Sequence, residues 1–318
     1  MRTATLNVVV DKLTVEATDT LSVELRPVGR ENLPAFDAGA HISLKLPNGI
    51  VRSYSLVNPA NDAQRYVLGV LRARESQGGS LFIHEQLRVG DHLTISAPRN
   101  NFPLDESGER FVLIAGGIGV TAIYSMAQRL VSLGKQVEML YCCRSREHAA
   151  WLAPIQALGI TLWLHFDADE SGPPDLDAFI DGRGAETRYY CCGPSPMLSA
   201  FEQACSRHGY PHAHIERFGA APVSIGAVAT PGYEVELARS GKTVRVERGG
   251  RLLDALIAAG VDVPFSCEHG ICGSCEMTVL EGEIDHRDSV LSESERKTGK
   301  SLMVCVSGCK RGRLVLDC

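Results

Sequence analysis

Residues 111–122 read FVLIAGGIGVTA. An apolar run leads into glycines at 116, 117 and 119, and the following TAIYSMAQRLVSLG has helical spacing that stops at Gly134. This is a buried strand turning through a glycine loop into a helix. Glycines at such a turn let a phosphate approach the backbone and the helix N-terminus. The theme repeats in QVEMLYCC (136–143), TLWLHF (161–166) and TRYYCCG (187–193), and Cys192-Gly193-Pro194-Ser195-Pro196-Met197 opens another helix at the end of the last strand. Strands alternating with helices predict a doubly wound α/β domain, assigned to residues 106–222. Gly117, Gly119 and Ala122 satisfy the short pattern G-x-G-x-x-A. The acidic residue that follows the second strand of an ordinary dinucleotide-binding dehydrogenase is missing, however, and Cys142-Cys143-Arg144-Ser145-Arg146 stands there. Arg144 and Arg146 can meet a ribose or a phosphate, or simply form a solvated helix entrance.

Upstream, LNVVVDKL, LSVELRPV, HISLKLPNG, VRSYSLV, RYVLGVLRA and HLTISAP alternate or run apolar between turn signals. Six short strands in residues 1–105 predict an antiparallel β-barrel. Downstream, residues 223–232 carry no charge and no sustained period, and are assigned as a linker. Beyond it, residues 233–318 hold an alternating hairpin (YEVELARSGKTVRVERGG), a capped helix (RLLDALIAAG) and late strands LMVCVS and RLVLD. The chain is thus read as multidomain. Its 318 residues, 44% hydrophobic and 22% charged, exclude coiled coil, collagen and bulk disorder. A formal charge of -6 gives no electrostatic drive toward nucleic acid or anionic lipid. No apolar run is long enough to span a membrane, and the first residues do not read as a signal peptide. The expected compartment is the cytoplasm.

Eleven cysteines are many for that compartment, and an odd count cannot pair fully within one chain. None precedes Cys142, five lie between Cys142 and Cys205, and six fall in the last 52 residues. Among these, Cys267-x4-Cys272-x2-Cys275 is followed after 29 residues by Cys305. That is the spacing of plant-type [2Fe-2S] ligation, and Gly270 and Gly273 stand where the loop must curl around a cluster. A zinc knuckle is the plainer reading of C-x2-C, but zinc ligands usually come as two short pairs. Cys309 reads as a spare thiol that could compete as a ligand, and Cys318 says little.

A second candidate site lies in the barrel. Arg52-Ser53-Tyr54-Ser55 sits on a strand, so Arg52 and Tyr54 share one face and Ser53 and Ser55 the other. The pattern offers a cation for a phosphate, a ring for a flavin face and a hydroxyl near its reactive edge. Gln77-Gly78-Gly79-Ser80 is a glycine turn into a helix, with N–H groups suited to a phosphate.

The last 86 residues resemble a plant-type ferredoxin, which implies an α+β (β-grasp) fold. AGGIGVT and CGPSPM resemble the pyridine-nucleotide domain of the ferredoxin-NADP reductase superfamily, and the R-x-Y-S and G-G-S segments resemble its flavin barrel. The order barrel, nucleotide domain, ferredoxin is similar over the whole chain to the phthalate dioxygenase reductase family, which includes vanillate O-demethylase reductases. The resemblance implies FMN held by Arg52, Tyr54, Ser55, Gly69, Val70, Gly78, Gly79 and Ser80. Phe218 would lie against the flavin, or else pack in the core. It implies NADH bound by Gly116, Gly117, Gly119, Thr121, Arg144, Arg146, Cys192, Gly193 and Pro194, with Ser55 and Cys192 beside hydride transfer. It implies a [2Fe-2S] cluster on Cys267, Cys272, Cys275 and Cys305.

Hydride carries two electrons and the cluster accepts one, so a flavin between them converts pairs to singles. The implied partner is the terminal component of a Rieske-type aromatic oxygenase or O-demethylase, and the chain is expected to be a monomer. Two departures stand out: Ala122 replaces a common Pro, and Gln77 replaces a common Arg. The alternatives are an FAD-containing reductase serving another ferredoxin or a cytochrome, and a redox sensor without turnover. HFDADE (165–170) supplies three carboxylates that can repel the extra phosphate of NADPH, whereas Arg144 and Arg146 by charge alone favour it.

Overall fold

The computed structural model describes residues 5–29, 32–62, 64–73, 78–170, 172–218, 232–265, 268, 270, 273–288, 290, 291 and 293–318. The linker assignment, apart from Gly232, lies outside the described residues, as do Gln77, Cys267 and Cys272. The chain divides into two compact units, Met1–Phe218 and Gly219–Cys318.

The first unit opens with six strands. They are β1 (Thr5–Ala17), β2 (Thr20–Pro27), β3 (His41–Lys45), β4 (Val51–Ser55), β5 (Tyr66–Leu71) and β6 (His92–Ser96), with helix α1 (Gly79–Glu85) between the last two. The sheet order is β4-β3-β6-β1-β2-β5, with every pairing antiparallel. Its two ends meet at the Leu56–Leu68 bridge, reinforced by Val57 N–H donating to Val67 O at 2.8 Å. This closes the barrel and removes the exposed edges. β1 runs well past the expected LNVVVDKL, because shifts at Val10/Lys12 and Val15/Ala17 let one long strand serve both β2 and β6. Val8, Val23, Leu25, Ile42, Leu44, Leu68 and Val70 fill the barrel core.

Five parallel strands follow: β7 (Arg110–Gly116), β8 (Gln136–Cys143), β9 (Thr161–Phe166), β10 (Arg188–Cys192) and β11 (Ala213–Glu216). The helices between them are α2 (Val120–Ser132), α3 (Leu152–Gln156), α4 (Leu176–Ile180) and α5 (Ser195–His208). The order β11-β10-β7-β8-β9 means that the chain leaves β7 toward one edge and returns to build the other. The switch point therefore falls between β7 and β10, where ligands bind in such sheets. One core joins this sheet to the barrel, since Ala38, Val57 and Phe102 pack with Ala115, Val120, Ile123 and Cys192. Shared apolar burial makes barrel and sheet one compact unit.

The second unit holds β12 (Tyr233–Leu237), β13 (Lys242–Val246), α6 (Leu252–Ala258), β14 (Glu276–Asp285), α7 (Glu293–Thr298), β15 (Ser301–Met303) and β16 (Gly308–Leu316). Its sheet runs β13-β12-β16-β14-β15, with β12 and β16 parallel and the other pairs antiparallel, as in a β-grasp. Two expectations change. LMVCVS is strand only to Met303: Val306 and Ser307 N–H both turn back to Met303 O, which puts Cys305 in a turn. The RLLDALIAAG helix has no side-chain cap on its first turn, because Arg251 stands at that position. Among the described residues no helix is long and apolar enough to cross a membrane.

Candidate functional site

The two glycine loops expected from the sequence meet backbone to backbone at the switch point. A Cβ on Gly119 would stand 2.2 Å from Cys192 O, and one on Gly116 would stand 2.7 Å from both Pro194 Cδ and Met197 Sδ. Gly193 is equally constrained, with Met197 Sδ at 2.8 Å and Gly116 Cα at 3.1 Å. These three glycines let the loops nest against each other. Gly117 differs, since its φ of +52° requires glycine and open space lies where a side chain would be. It is the member of the turn that can admit a pyrophosphate.

Thr121 is buried, and its Oγ1 donates to Ile118 O at 2.9 Å, so the hydroxyl is spent within the turn. Pro194 precedes α5 with an extended backbone and fixes the entry of that helix. Cys192 is fully buried, and its thiol is raised well above its ordinary value, by burial first and then by the neighbouring Glu216 charge.

Glu216 is a candidate site residue that the sequence reading did not single out. It is in register with Cys192 on β11, and Cys192 is in register with Ala115, so the three share one face at the carboxyl edge of the sheet. Its Oε2 is buried without a hydrogen-bond partner, and burial pushes the carboxyl from its ordinary 4.5 up to about 8. Ser55, at the end of β4, likewise carries a buried Oγ with no partner. A buried polar atom left unpaired costs about 1–3 kcal/mol; these two are among ten such atoms in the described residues, and they stand out because they lie on strands of the two expected binding segments. Phe218 is 37% exposed, a poor fit to plain core packing.

Arg52 and the glycine turn also come together. A Cβ on Gly79 would stand 2.8 Å from Arg52 Cγ and 3.3 Å from its Nε, and Gly78 has a φ of +92°. The Arg52 side chain thus lies against the glycine turn, a pairing of cation and turn that suits a phosphate. Ser80 Oγ accepts a hydrogen bond from Ala73 N–H at 3.3 Å. Tyr54 is half-buried, and burial pushes its phenol up to about 12 against the opposing pull of Arg52. Gly69 is covered by Thr121 and Trp151, and the Val70 side chain lies in the barrel core while its carbonyl meets His84 Nε2 at 3.0 Å. The residues fit a flavin phosphate and ring edge.

At the far strand ends, Asp167 N–H donates to Cys143 O at 3.0 Å and Ala168 N–H to Arg144 O at 2.9 Å. The acidic loop is therefore laced to the arginine stretch. Arg146 stacks 5.1 Å from the Phe166 ring centroid, while Arg144 is exposed.

In the second unit the 29-residue gap between Cys275 and Cys305 is closed by the β14–β15 pairing. Val304 N–H donates to Cys275 O at 3.2 Å, and both cysteines are buried. Gly270 has a φ of +68°, and its missing Cβ would stand 2.5 Å from Val306 Cγ2, so the ligand loop folds onto the Cys305 turn. Cys309 lies on β16 opposite Ile284, its thiol donating to Arg311 O at 3.0 Å. It is engaged inside the sheet core. The described part of the loop fits a cluster.

Comparison with known proteins agrees with this fold. The "2Fe-2S iron-sulfur cluster binding domain" family matches residues 235–310, and the "Dimethylamine monooxygenase subunit DmmA-like, N-terminal domain" family matches residues 95–215. The chain is 47% identical over 304 residues to the phenoxybenzoate dioxygenase subunit beta of Ectopseudomonas oleovorans, covering 95% of this chain and 93% of that protein. It is 43% identical over 320 residues to the tetrachlorobenzoquinone reductase of Sphingobium chlorophenolicum, covering 99% and 98%. The solved phthalate dioxygenase reductase, described as a modular structure for electron transfer from pyridine nucleotides to [2Fe-2S], superposes with a TM-score of 0.73 at 34% identity, covering 99% and 98%. The chain belongs to the phthalate dioxygenase reductase family, the oxidoreductases that combine a flavin and nucleotide-binding reductase fold with a [2Fe-2S] ferredoxin domain.

Proposed function

We propose that this chain takes hydride from NADH onto FMN and passes the electrons through its [2Fe-2S] cluster to the terminal component of a Rieske-type aromatic oxygenase or O-demethylase. The observation that carries the reading is the pair of unpartnered buried polar atoms, Ser55 Oγ on the barrel and Glu216 Oε2 beside Cys192 on the nucleotide sheet. A flavin held there by Arg52, Ser55 and the Gly78–Gly79 turn would supply the conversion of an electron pair into single electrons. Arg52 and the Gly78–Gly79 turn hold its phosphate end, and Gly117 leaves the dinucleotide turn open to pyrophosphate. Cys192 and Glu216, both neutral at pH 7, offer two hydrogen-bond donors without a buried charge, which suits a nicotinamide amide. Their task is orientation.

Two measurements test the cofactor assignments. Acid release and chromatography are expected to give FMN at about one equivalent per chain; recovery of FAD would replace the flavin assignment. NADH is expected to exceed NADPH in kcat/KM by at least about tenfold, because Asp167, Asp169 and Glu170 border the arginine stretch. A preference for NADPH would promote Arg144 and Arg146 to phosphate ligands.

The raised Glu216 carboxyl sets a pH dependence. Folded, the group holds its proton up to about 8; unfolded, it ionises near 4.5. Its contribution to stability is thus full below about 4.5 and is lost as pH rises through about 8. Above that value a buried anion faces Cys192, so NADH oxidation is expected to fall in a one-proton step. Glu216→Gln keeps the shape and stays neutral, and should flatten the alkaline fall while holding the rate at pH 7 within about threefold. An unchanged alkaline limb in that variant would move the titration to another group.

The 43% identity to a tetrachlorobenzoquinone reductase favours a second reading, a small quinone as terminal acceptor. Steady-state turnover with a soluble quinone, compared with a reconstituted oxygenase, separates the two.

A further inference from the structure

Gly69 lies inside β5, where its backbone makes no demand that only glycine could meet. Glycine in a strand interior marks a close approach. A Cβ there would stand 2.4 Å from Thr121 Cγ2, 2.6 Å from Trp151 Cη2 and 3.1 Å from Trp151 Cζ3. Thus the barrel strand, the first turn of α2 and the residue before α3 converge on one bare Cα.

Both arriving side chains are held. Thr121 Oγ1 is tied to Ile118 O at 2.9 Å, which fixes where its methyl points. Trp151 adopts φ 55° and ψ 18°, left-handed for a bulky residue, and the residue is only 7% exposed. That conformation persists only where the surroundings enforce it. Tyr141 Oη donates to Ala150 O at 3.1 Å on one side, and Ile155 N–H donates to Trp151 O at 2.9 Å on the other. The same segment is anchored to the barrel again by Thr18 N–H donating to Glu147 O at 2.8 Å.

We propose that Trp151 is a positioning residue: with Thr121 it seats against Gly69 as a spacer that sets the gap between the flavin strand and the dinucleotide turn. That gap governs hydride transfer, in which the nicotinamide carbon–hydrogen bond breaks, a hydrogen–flavin nitrogen bond forms and the electron pair travels with the hydride. The inference rests on the NADH-to-flavin reading above. Thr121 lies two residues past Gly119, so displacement at Gly69 displaces the turn itself. A misplacement near 1 Å costs about a hundredfold in rate when reacting atoms must be aligned.

The test uses the full chain with its flavin, reduced anaerobically by NADH in a stopped-flow instrument. Gly69→Ala is expected to lower the limiting rate of flavin reduction at least about tenfold and to weaken the long-wavelength nicotinamide–flavin charge-transfer band. Because Gly69 is also a candidate flavin contact, every rate is expressed per bound flavin, and reduction of that bound flavin by dithionite should stay at the wild-type rate. Adding Thr121→Ser and Trp151→Phe, which remove the nearest atoms, should restore the rate to within about threefold of wild type. Trp151→Phe alone opens the contact without crowding it and should also slow the limiting rate. A wild-type rate per bound flavin in Gly69→Ala, or failure of the compensating pair to restore that rate, overturns the spacer. Failure of NADH to reduce the flavin of the wild-type chain overturns the proposed function itself.

Discussion

Replacing Gly119 by alanine is expected to lower kcat/KM for NADH about a hundredfold with ferricyanide as acceptor. The new Cβ would lie 2.2 Å from Cys192 O, 2.5 Å from its carbonyl carbon and 2.9 Å from Gly193 N. All three are backbone atoms, so no rotamer change relieves the clash and the two loops must part by about 1 Å. The substitution therefore acts on the relative placement of the pyrophosphate turn and the Cys192–Glu216 face. A stability loss of about 1–3 kcal/mol should accompany it, readable as a lower Tm. Gly117→Ala, at a position with φ +52° and no neighbour within 4 Å, strains the backbone without separating the loops and should cost less. Equal kinetics for Gly119→Ala and wild type would show that loop contact does not set the NADH geometry.

Cys305→Ser is expected to reduce cytochrome c reduction at least about a hundredfold while leaving NADH–ferricyanide turnover within about twofold. Serine is nearly isosteric, so the turn closed by Val306 and Ser307 on Met303 O should persist. What disappears is a thiolate, and a hydroxyl of much higher pKa is a poor substitute as an iron ligand. The residues proposed for flavin and nucleotide all belong to the Met1–Phe218 unit, whereas Cys305 belongs to Gly219–Cys318. Ferricyanide can draw electrons from the first unit alone. An equal loss of both activities in a chain still carrying its flavin would contradict this division of labour.

Most of the fold was legible because its elements obey local rules. The barrel strands announce themselves by alternation, and the parallel strands 111–116 and 136–143 by continuous burial. β14 was not recognised, and the reason is physical: of EMTVLEGEID only Val279 and Ile284 are buried, so little apolar signal survives. The glycines of both loops were read correctly as special, but for a different reason from the one that holds at most of them. Only Gly117 faces open space; Gly116, Gly119 and Gly193 serve loop-on-loop packing, a tertiary fact.

Glu216 shows the same limit more sharply. In HIERFG it is one carboxylate among ordinary strand-end residues, and its raised pKa arises only because β11 pairs in register with Cys192 and buries it. Register is not written in a short, half-exposed strand. Conversely, the cysteine spacing is chemistry that needs no register to be read.

In the proposed function one chain carries electrons from NADH through a flavin to its own [2Fe-2S] cluster. Anaerobic titration with NADH, followed by visible absorbance and electron paramagnetic resonance, tests it directly. Uptake of about three electrons per chain is expected, the sum of two for a flavin and one for a cluster. Flavin bleaching and the signal of a reduced [2Fe-2S] centre should appear together. Bleaching of the flavin with a loaded cluster that stays oxidised, or no bleaching by NADH at all, would contradict it.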